Sequence, residues 1–260
     1  WVDEDSRIEL AKVCSDGAQA VAEAAQIRPD VIVLDIEMPN MDGLTALPQL
    51  RKFVPDARII MASTLTTQGA QQTVKALSLG AADFIAKPQA SALGGVDSYR
   101  RDLLDKIVAL APRRRAAAHA SAARNVPPPA PVALRTRIVP AAPPSCMVIA
   151  ASTGGPSALP VFLGPIARRI EQPILIVQHM PAAFTPVFAD KLEASIGKRC
   201  REAVDGDVLA PGCVFLAPGD FHMRVARGPA GRIVTLDRGD PVNFCRPAAD
   251  LLFQSAATEY

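Results

Sequence analysis

Residues 112–144 constrain this chain more than any other stretch. They hold eight Pro, ten Ala, six Arg and no acidic residue. The prolines at 127, 128, 129 and 131 fix φ, remove backbone donors and favour extended polyproline II, so neither a helix nor a central strand can run through them. The segment reads as a linker, a solvated and basic tether. Its arginines would also suit nucleic acid or an acidic surface. The whole chain is nearly neutral, however, with 28 Lys+Arg against 26 Asp+Glu, so a generally basic nucleic-acid binder is not expected. What remains is two blocks, 1–111 and 145–260, each the size of a modest domain.

The 260 residues are 49% apolar, enough for real cores. Clean apolar runs such as 31–34 and 146–151 fall far short of the ~18–20 residues of a membrane helix, so no membrane insertion is expected. The polar, acidic opening is unlike a signal peptide. Cys14, Cys146, Cys200, Cys213 and Cys245 include no CxxC pair and read as reduced thiols of a cytoplasmic protein, expected to be monomeric. The chain opens on Trp1 and closes inside a helical pattern, so both ends read as cut.

In the first block, β-branched runs at 31–34, 58–63 and 83–87 alternate with helical patterns at 17–26, 44–53 and 68–79, with a further strand expected at 8–14. Gly80 fits a helix C-cap, and 99–110 reads as a closing amphipathic helix. Strands separated by helices predict a parallel sheet with right-handed crossovers. Asp35, Ser63 and Lys87 end successive strands, on the rim where open parallel sheets bind ligands. A carboxylate nucleophile, a hydroxyl and an ammonium meeting there suit phosphoryl transfer. Taken singly, each is more often an ordinary solvated group.

Together they form a more specific pattern: strand–Asp35, then Met38-Pro39, Met41-Asp42-Gly43, strand–Ser63 and strand–Lys87-Pro88. It resembles the receiver domain of two-component response regulators, a flavodoxin-like α/β fold. The resemblance implies that Asp35 is phosphorylated and, with the backbone carbonyl of Glu37, binds Mg²⁺. It further implies that Ser63 is the switch hydroxyl, Lys87 the phosphate-sensing amine and Phe84 the rotating aromatic. Receivers also carry an acidic pair at the end of a first strand. No apolar strand leads into Asp3, Glu4 and Asp5, and residues 5–17 look like the family's second strand. The first strand, first helix and acidic pair are therefore expected to be missing, which puts Mg²⁺ binding in question.

In the second block a buried strand at 146–152 runs into Thr153-Gly-Gly155. A helix is expected over 156–169, a strand over 173–178, a helix over 184–196, an antiparallel excursion over 200–237 and a helix over 247–260. Ser152 would sit on a sharp strand-to-helix bend, near backbone N–H groups able to stabilise an oxyanion. His179 ends the next strand. If the two strands are neighbours, the imidazole can reach the hydroxyl, as base-activated nucleophilic attack requires. Two plainer readings compete. Gly-rich turns before helices often cradle phosphate, and a single His is often structural.

The wider series is Ile149-Ala-Ala-Ser-Thr-Gly-Gly-Pro156, Val177-Gln-His-Met-Pro181, Leu216-Ala-Pro-Gly-Asp220 and Arg246-Pro247. It resembles the catalytic domain of the protein-glutamate methylesterases, the CheB family of bacterial chemotaxis. A receiver (1–111), a linker (112–144) and a doubly wound, mostly parallel α/β methylesterase domain (145–260) are that family's architecture. The resemblance implies hydrolysis of glutamate methyl esters on methyl-accepting chemotaxis receptors, with glutamine deamidation in many members. It implies Ser152 as nucleophile, His179 as base and Thr153 as a lining and positioning residue, with no cofactor for the esterase. It implies regulation through phosphorylation by the chemotaxis histidine kinase. The family's orienting Asp lies in a stretch not found here, and Asp220, Asp237 and Asp250 are not nominated for it. Cys245 stands where the family usually has His, and Ala150 where it has Gly. Two alternatives stay open: a non-enzymatic adaptor with a decayed hydrolase-like domain, and a Gly-loop nucleotide binder.

Overall fold

The computed structural model describes residues 2–88, 95–111 and 144–260. Residues 112–143 of the linker, with His119 and all of its prolines but Pro144, lie outside the described residues. The first block forms helix α1 (Gly17–Ile27), strand β1 (Val31–Asp35), α2 (Gly43–Phe53), β2 (Arg58–Ser63), α3 (Thr67–Ser78), β3 (Asp83–Ala86) and α4 (Gly95–Leu110). Its three strands are parallel in the order β1-β2-β3. Leu34, Ile59, Met61 and Phe84 pack with Leu47, Leu50 and Ala70 on one face. Ile60, Ala62 and Ile85 meet Leu103 and Ile107 of α4 on the other. That alternation is the period of two of a pleated strand covered on both faces.

Local chemistry starts α1, α2 and α3. Asp16, Asp42 and Thr66 are N-caps, accepting from the backbone N–H groups of Gln19, Thr45 and Gly69. Gly43 is dictated by crowding, since a Cβ there would lie 2.1 Å from the carbonyl oxygen of Asp35. Gly80, at φ +102°, follows α3 as expected of a left-handed C-terminal residue.

The strand expected at 8–14 is not formed. Its apolar alternation fails after Leu10, where Lys12 and Val13 break the period. Ile8 instead joins the α4 cluster, and Val13 is 73% exposed. β1 is left as an edge strand.

The second block comprises β4 (Met147–Ala151), α5 (Gly155–Leu163), β5 (Ile174–Gln178), α6 (Thr185–Ile196), β6 (Cys200–Glu202), β7 (Val214–Leu216), β8 (His222–Gly228), β9 (Gly231–Asp237) and α7 (Ala249–Glu259). A parallel sheet of order β4-β5-β7-β6 lies between α5 and α6 on one face and the β8–β9 hairpin with α7 on the other. The fold class read from the sequence, α/β with mostly parallel sheets, is the one observed.

Two expectations need correction. The helix expected over 156–169 stops at Leu163, because Pro165 brings no N–H to continue the ladder; a 3₁₀ turn, Ala167–Arg169, follows. Of the expected antiparallel excursion, β8 and β9 pair antiparallel and Val208 bridges Ile233 in the same sense, whereas β6 and β7 join the parallel sheet. Gly-rich turns mark where the chain bends but not which way the next strand runs. The unbroken run Val214-Phe-Leu216, buried throughout, is the better cue to a parallel strand covered on both faces.

The two blocks touch directly. Phe84 of β3 stacks on Phe184, just before α6, with ring centroids 4.6 Å apart and planes at 23°. One apolar cluster runs through both blocks across this contact.

Candidate active site and phosphoacceptor site

β4 and β5 are parallel neighbours with Ala151 opposite Gln178, so Ser152 and His179 leave adjacent strand tips side by side. The His179 N–H donates to the Ala151 carbonyl at 3.0 Å and fixes that register one step further. Gln178, 1% exposed, donates through Nε2 to the carbonyl oxygens of Ser152 (3.0 Å) and His179 (3.2 Å). The same amide explains Gly155, where a Cβ would lie 2.0 Å from Gln178 Oε1. No sequence signal separated Gln178 from an ordinary strand residue.

Ser152 Oγ, exposed at the bend, lies 3.2 Å from His179 Nδ1. For Nδ1 to take the serine proton, the imidazole must carry its own hydrogen on Nε2. Nε2 is buried and has no hydrogen-bond partner among the described residues. The three downstream carboxylates are engaged elsewhere: Asp220 with Arg246, Asp237 with Arg224, Asp250 with Asn243. Thr153 is half-buried in the turn and shares no hydrogen bond with His179. Cys245 Sγ lies 3.6 Å from the same Nδ1. It is placed there by a tight turn, Val242 and Cys245 exchanging two backbone hydrogen bonds around Asn243 and Phe244 at φ +50° and +63°. Burial pushes the Cys245 thiol up, so the neutral thiol is the relevant species.

Burial, and next the positive charge of Lys106 on α4, hold the His179 imidazole below its ordinary range; Asp250 pulls the other way. A depressed value keeps the base neutral to lower pH. Asp250→Asn removes the opposing charge. The acid limb of the pH–rate profile is therefore expected to move to lower pH, read from kcat/KM against pH; a move to higher pH would contradict this electrostatic account.

On the opposite block, Lys87 Nζ donates to Asp35 Oδ2 at 2.7 Å, both groups about one-third exposed. Asp35 Oδ1 accepts the Glu37 N–H at 3.2 Å. Ser63 is 2% exposed and its Oγ donates to the Gly69 carbonyl at 3.1 Å. Phe84 is buried against Phe184. The structure thus brings Asp35 and Lys87 into contact, sets Ser63 one register step beyond on β2, and commits Phe84 to the other block. For Mg²⁺ the donor set does not fit. Among the described residues no group of three His, Cys, Asp or Glu side chains could hold a metal ion. Of the residues near the N-terminus, Glu4 pairs with Arg100 and Asp5 with Arg7.

A CheB methylesterase family model matches residues 147–260, and a response regulator receiver domain model matches residues 3–93. A protein-glutamate methylesterase/protein-glutamine glutaminase of Maricaulis maris (strain MCS10) is 45% identical over 292 residues, covering 99% of this chain and 73% of the relative. This chain belongs to the CheB family. A second CheB relative, protein-glutamate methylesterase/protein-glutamine glutaminase 2 of Caulobacter vibrioides (strain ATCC 19089 / CIP 103742 / CB 15), is 47% identical over 261 residues, covering 99% of this chain and 73% of its own length. Among solved structures, the CheB methylesterase catalytic domain of Thermotoga maritima matches at 36% identity and a TM-score of 0.43, over 46% of this chain and 63% of that one. Among the described residues no helix is long and apolar enough to cross a membrane.

Proposed function

We propose that this chain hydrolyses glutamate γ-methyl esters on chemoreceptors, deamidates receptor glutamines by the same chemistry, and is controlled by phosphorylation of Asp35. The single observation that carries the reading is the Ser152–His179 contact at 3.2 Å on neighbouring strand tips. The adaptor alternative has no comparable support, since a hydroxyl within reach of an imidazole is an intact acyl-transfer pair.

Ser152 Oγ attacks the ester carbonyl while His179 takes its proton. The tetrahedral intermediate collapses as the imidazolium returns that proton to the leaving methoxide, releasing methanol. Water, deprotonated by the same imidazole, then attacks the acyl-serine; glutamate leaves and Ser152 regains its hydrogen. With a glutamine substrate the leaving group is ammonia. Thr153 lines the mouth of the turn. The buried Nε2 of His179 is where an orienting acceptor would act.

The family acts on chemoreceptors and is phosphorylated by a histidine kinase, and receiver domains in general are phosphorylated with Mg²⁺. Among the described residues the donor set around Asp35 does not complete such a site, and the phosphoryl step is left at Asp35 itself. Phosphorylation would replace the Asp35–Lys87 pair by a phosphate–Lys87 pair and draw on Ser63. Lys87 directly follows β3, which carries Phe84 and Asp83 into the interface. The reading places the protein in the cytoplasm, 1–111 as receiver, 112–144 as tether and 145–260 as catalytic domain.

The deciding experiment is methanol release from methylated receptor fragments by the full chain. Release is expected, and absence of any release under phosphorylating and non-phosphorylating conditions alike would reject the reading.

A further inference from the structure

The turn that carries Cys245 to His179 presents its neighbour outward. Val242 and Cys245 exchange two backbone hydrogen bonds, at 3.1 and 3.0 Å, across the two residues between them. Both of those are left-handed, Asn243 at φ +50° and Phe244 at φ +63°. A two-residue turn of this kind favours Asn or Asp followed by Gly. Asn243 fits that preference. Phe244 does not, since a bulky side chain in the left-handed region crowds its own backbone.

Little of the ring is buried within the chain to offset this strain. Phe244 is 94% exposed, the most exposed large apolar side chain among the described residues, and it is so with the two blocks in contact. The turn beneath it is held on both sides. Asn243 Nδ2 donates to Asp250 Oδ2 at 3.1 Å. Cys245 Sγ lies 3.6 Å from His179 Nδ1, and Arg246 Nε donates to Asp220 Oδ1 at 2.9 Å. Phe253, 45% exposed, lies three residues beyond Asp250 on the same face of α7. A strained backbone that also holds an aromatic ring in water is the kind of outlier that points to a contact made in function.

The ring projects from the residue next to the one that touches the base. A γ-ester sits at the end of a side chain, so when its carbonyl reaches Ser152 the polypeptide that carries it stays outside, over this turn. We propose that Phe244 is a substrate-gripping residue, packing against an apolar side chain of the polypeptide segment that flanks the methyl-esterified glutamate. The proposal rests on the esterase reading and adds to it what selects a polypeptide over a free ester.

The test is Phe244→Gly in the full chain, with methanol release followed on a methylated receptor fragment and on the free amino acid glutamate γ-methyl ester. The ratio of kcat/KM on the fragment to kcat/KM on the small ester is expected to fall about tenfold or more, the scale of one aromatic side chain buried in an interface. The fall is expected in KM for the fragment rather than in kcat. Phe244→Trp keeps a ring and is expected to restore most of it. Thermal unfolding of Phe244→Gly is expected at or above the wild-type temperature, because glycine takes the left-handed position without strain; a lower temperature would make the ring structural and overturn the proposal. Equal losses on both substrates would mean that the ring shapes the catalytic pair, and an unchanged KM for the fragment would leave it without a substrate contact; either overturns the proposal. Sedimentation velocity covers the remaining occupant: self-association lost in Phe244→Gly with KM unchanged would assign the ring to a second copy, and overturn it too. If neither substrate releases methanol, the esterase reading fails, and fragment binding decides the proposal separately. Fluorescence anisotropy of the labelled fragment then compares Ser152→Ala with Ser152→Ala/Phe244→Gly. Binding weakened about tenfold or more keeps Phe244 as a peptide contact, and equal affinity overturns it.

Discussion

Ser152→Ala is expected to lower methanol release by roughly four to six orders of magnitude, His179→Ala by a comparable factor, and the double change by little more than either. The reason lies in the 3.2 Å contact between the two side chains. An unactivated hydroxyl is a weak nucleophile, and an imidazole with no hydroxyl to deprotonate has no role in acylation. Each single change therefore disables the same step. Whatever rate survives in each variant comes from binding and from the backbone donors of the turn after Ser152, which none of these changes removes. Single-turnover measurements of methanol release on the three variants check this. Multiplicative losses would mean that the side chains act in separate steps and would break the assignment. Far-ultraviolet dichroism serves as the folding control, since Ser152 is exposed and its truncation leaves no core cavity.

The candidate acyl-transfer pair was legible because it is written in local terms. A buried apolar run ending in Ser and Gly-Gly, and a second ending in His, place both groups at strand ends before any coordinates are known. The candidate phosphoacceptor rim was legible for the same reason, and Asp35 and Lys87 do meet. What stayed hidden depends on contacts between distant segments. Asp83 reads as the first residue of a strand, and its role comes from Lys106, twenty-three positions on, and from Gly154 in the other block. Gln178 acts by reaching two carbonyls at once. Cys245 stands where the family usually has His, and only a left-handed turn far along the chain brings its sulfur to the imidazole. The misread elements have the same origin: residues 8–14 have strand-like composition without a paired edge, and β6 and β7 run parallel for reasons of burial that turn residues do not encode.

Phe84→Ala and Phe184→Ala are each expected to destabilise the protein by about 3–5 kcal/mol, the usual cost of removing a buried ring. The rings are 5% and 1% exposed and belong to a single apolar cluster, so neither site can refill with water without losing neighbouring contacts. The stack adds a mutual contribution. At a centroid distance of 4.6 Å and 23° between planes, about 0.5–1.5 kcal/mol depends on both rings being present. The double variant should fall short of the summed losses by that amount, since a contact can be lost only once. Urea unfolding of the wild type, the two single variants and the double variant closes the cycle. The two changes also differ in function. Phe84 lies on the receiver side, so its truncation should raise methanol release in the absence of a phosphodonor while leaving Ser152 and His179 in place. Phe184 lies two residues before Pro186 at the start of α6, within the core that supports β5 and hence His179, and its truncation should lower activity. Strict additivity in the cycle, or equal effects of the two changes on basal release, would show that the stack does not couple the phosphoacceptor block to the catalytic one.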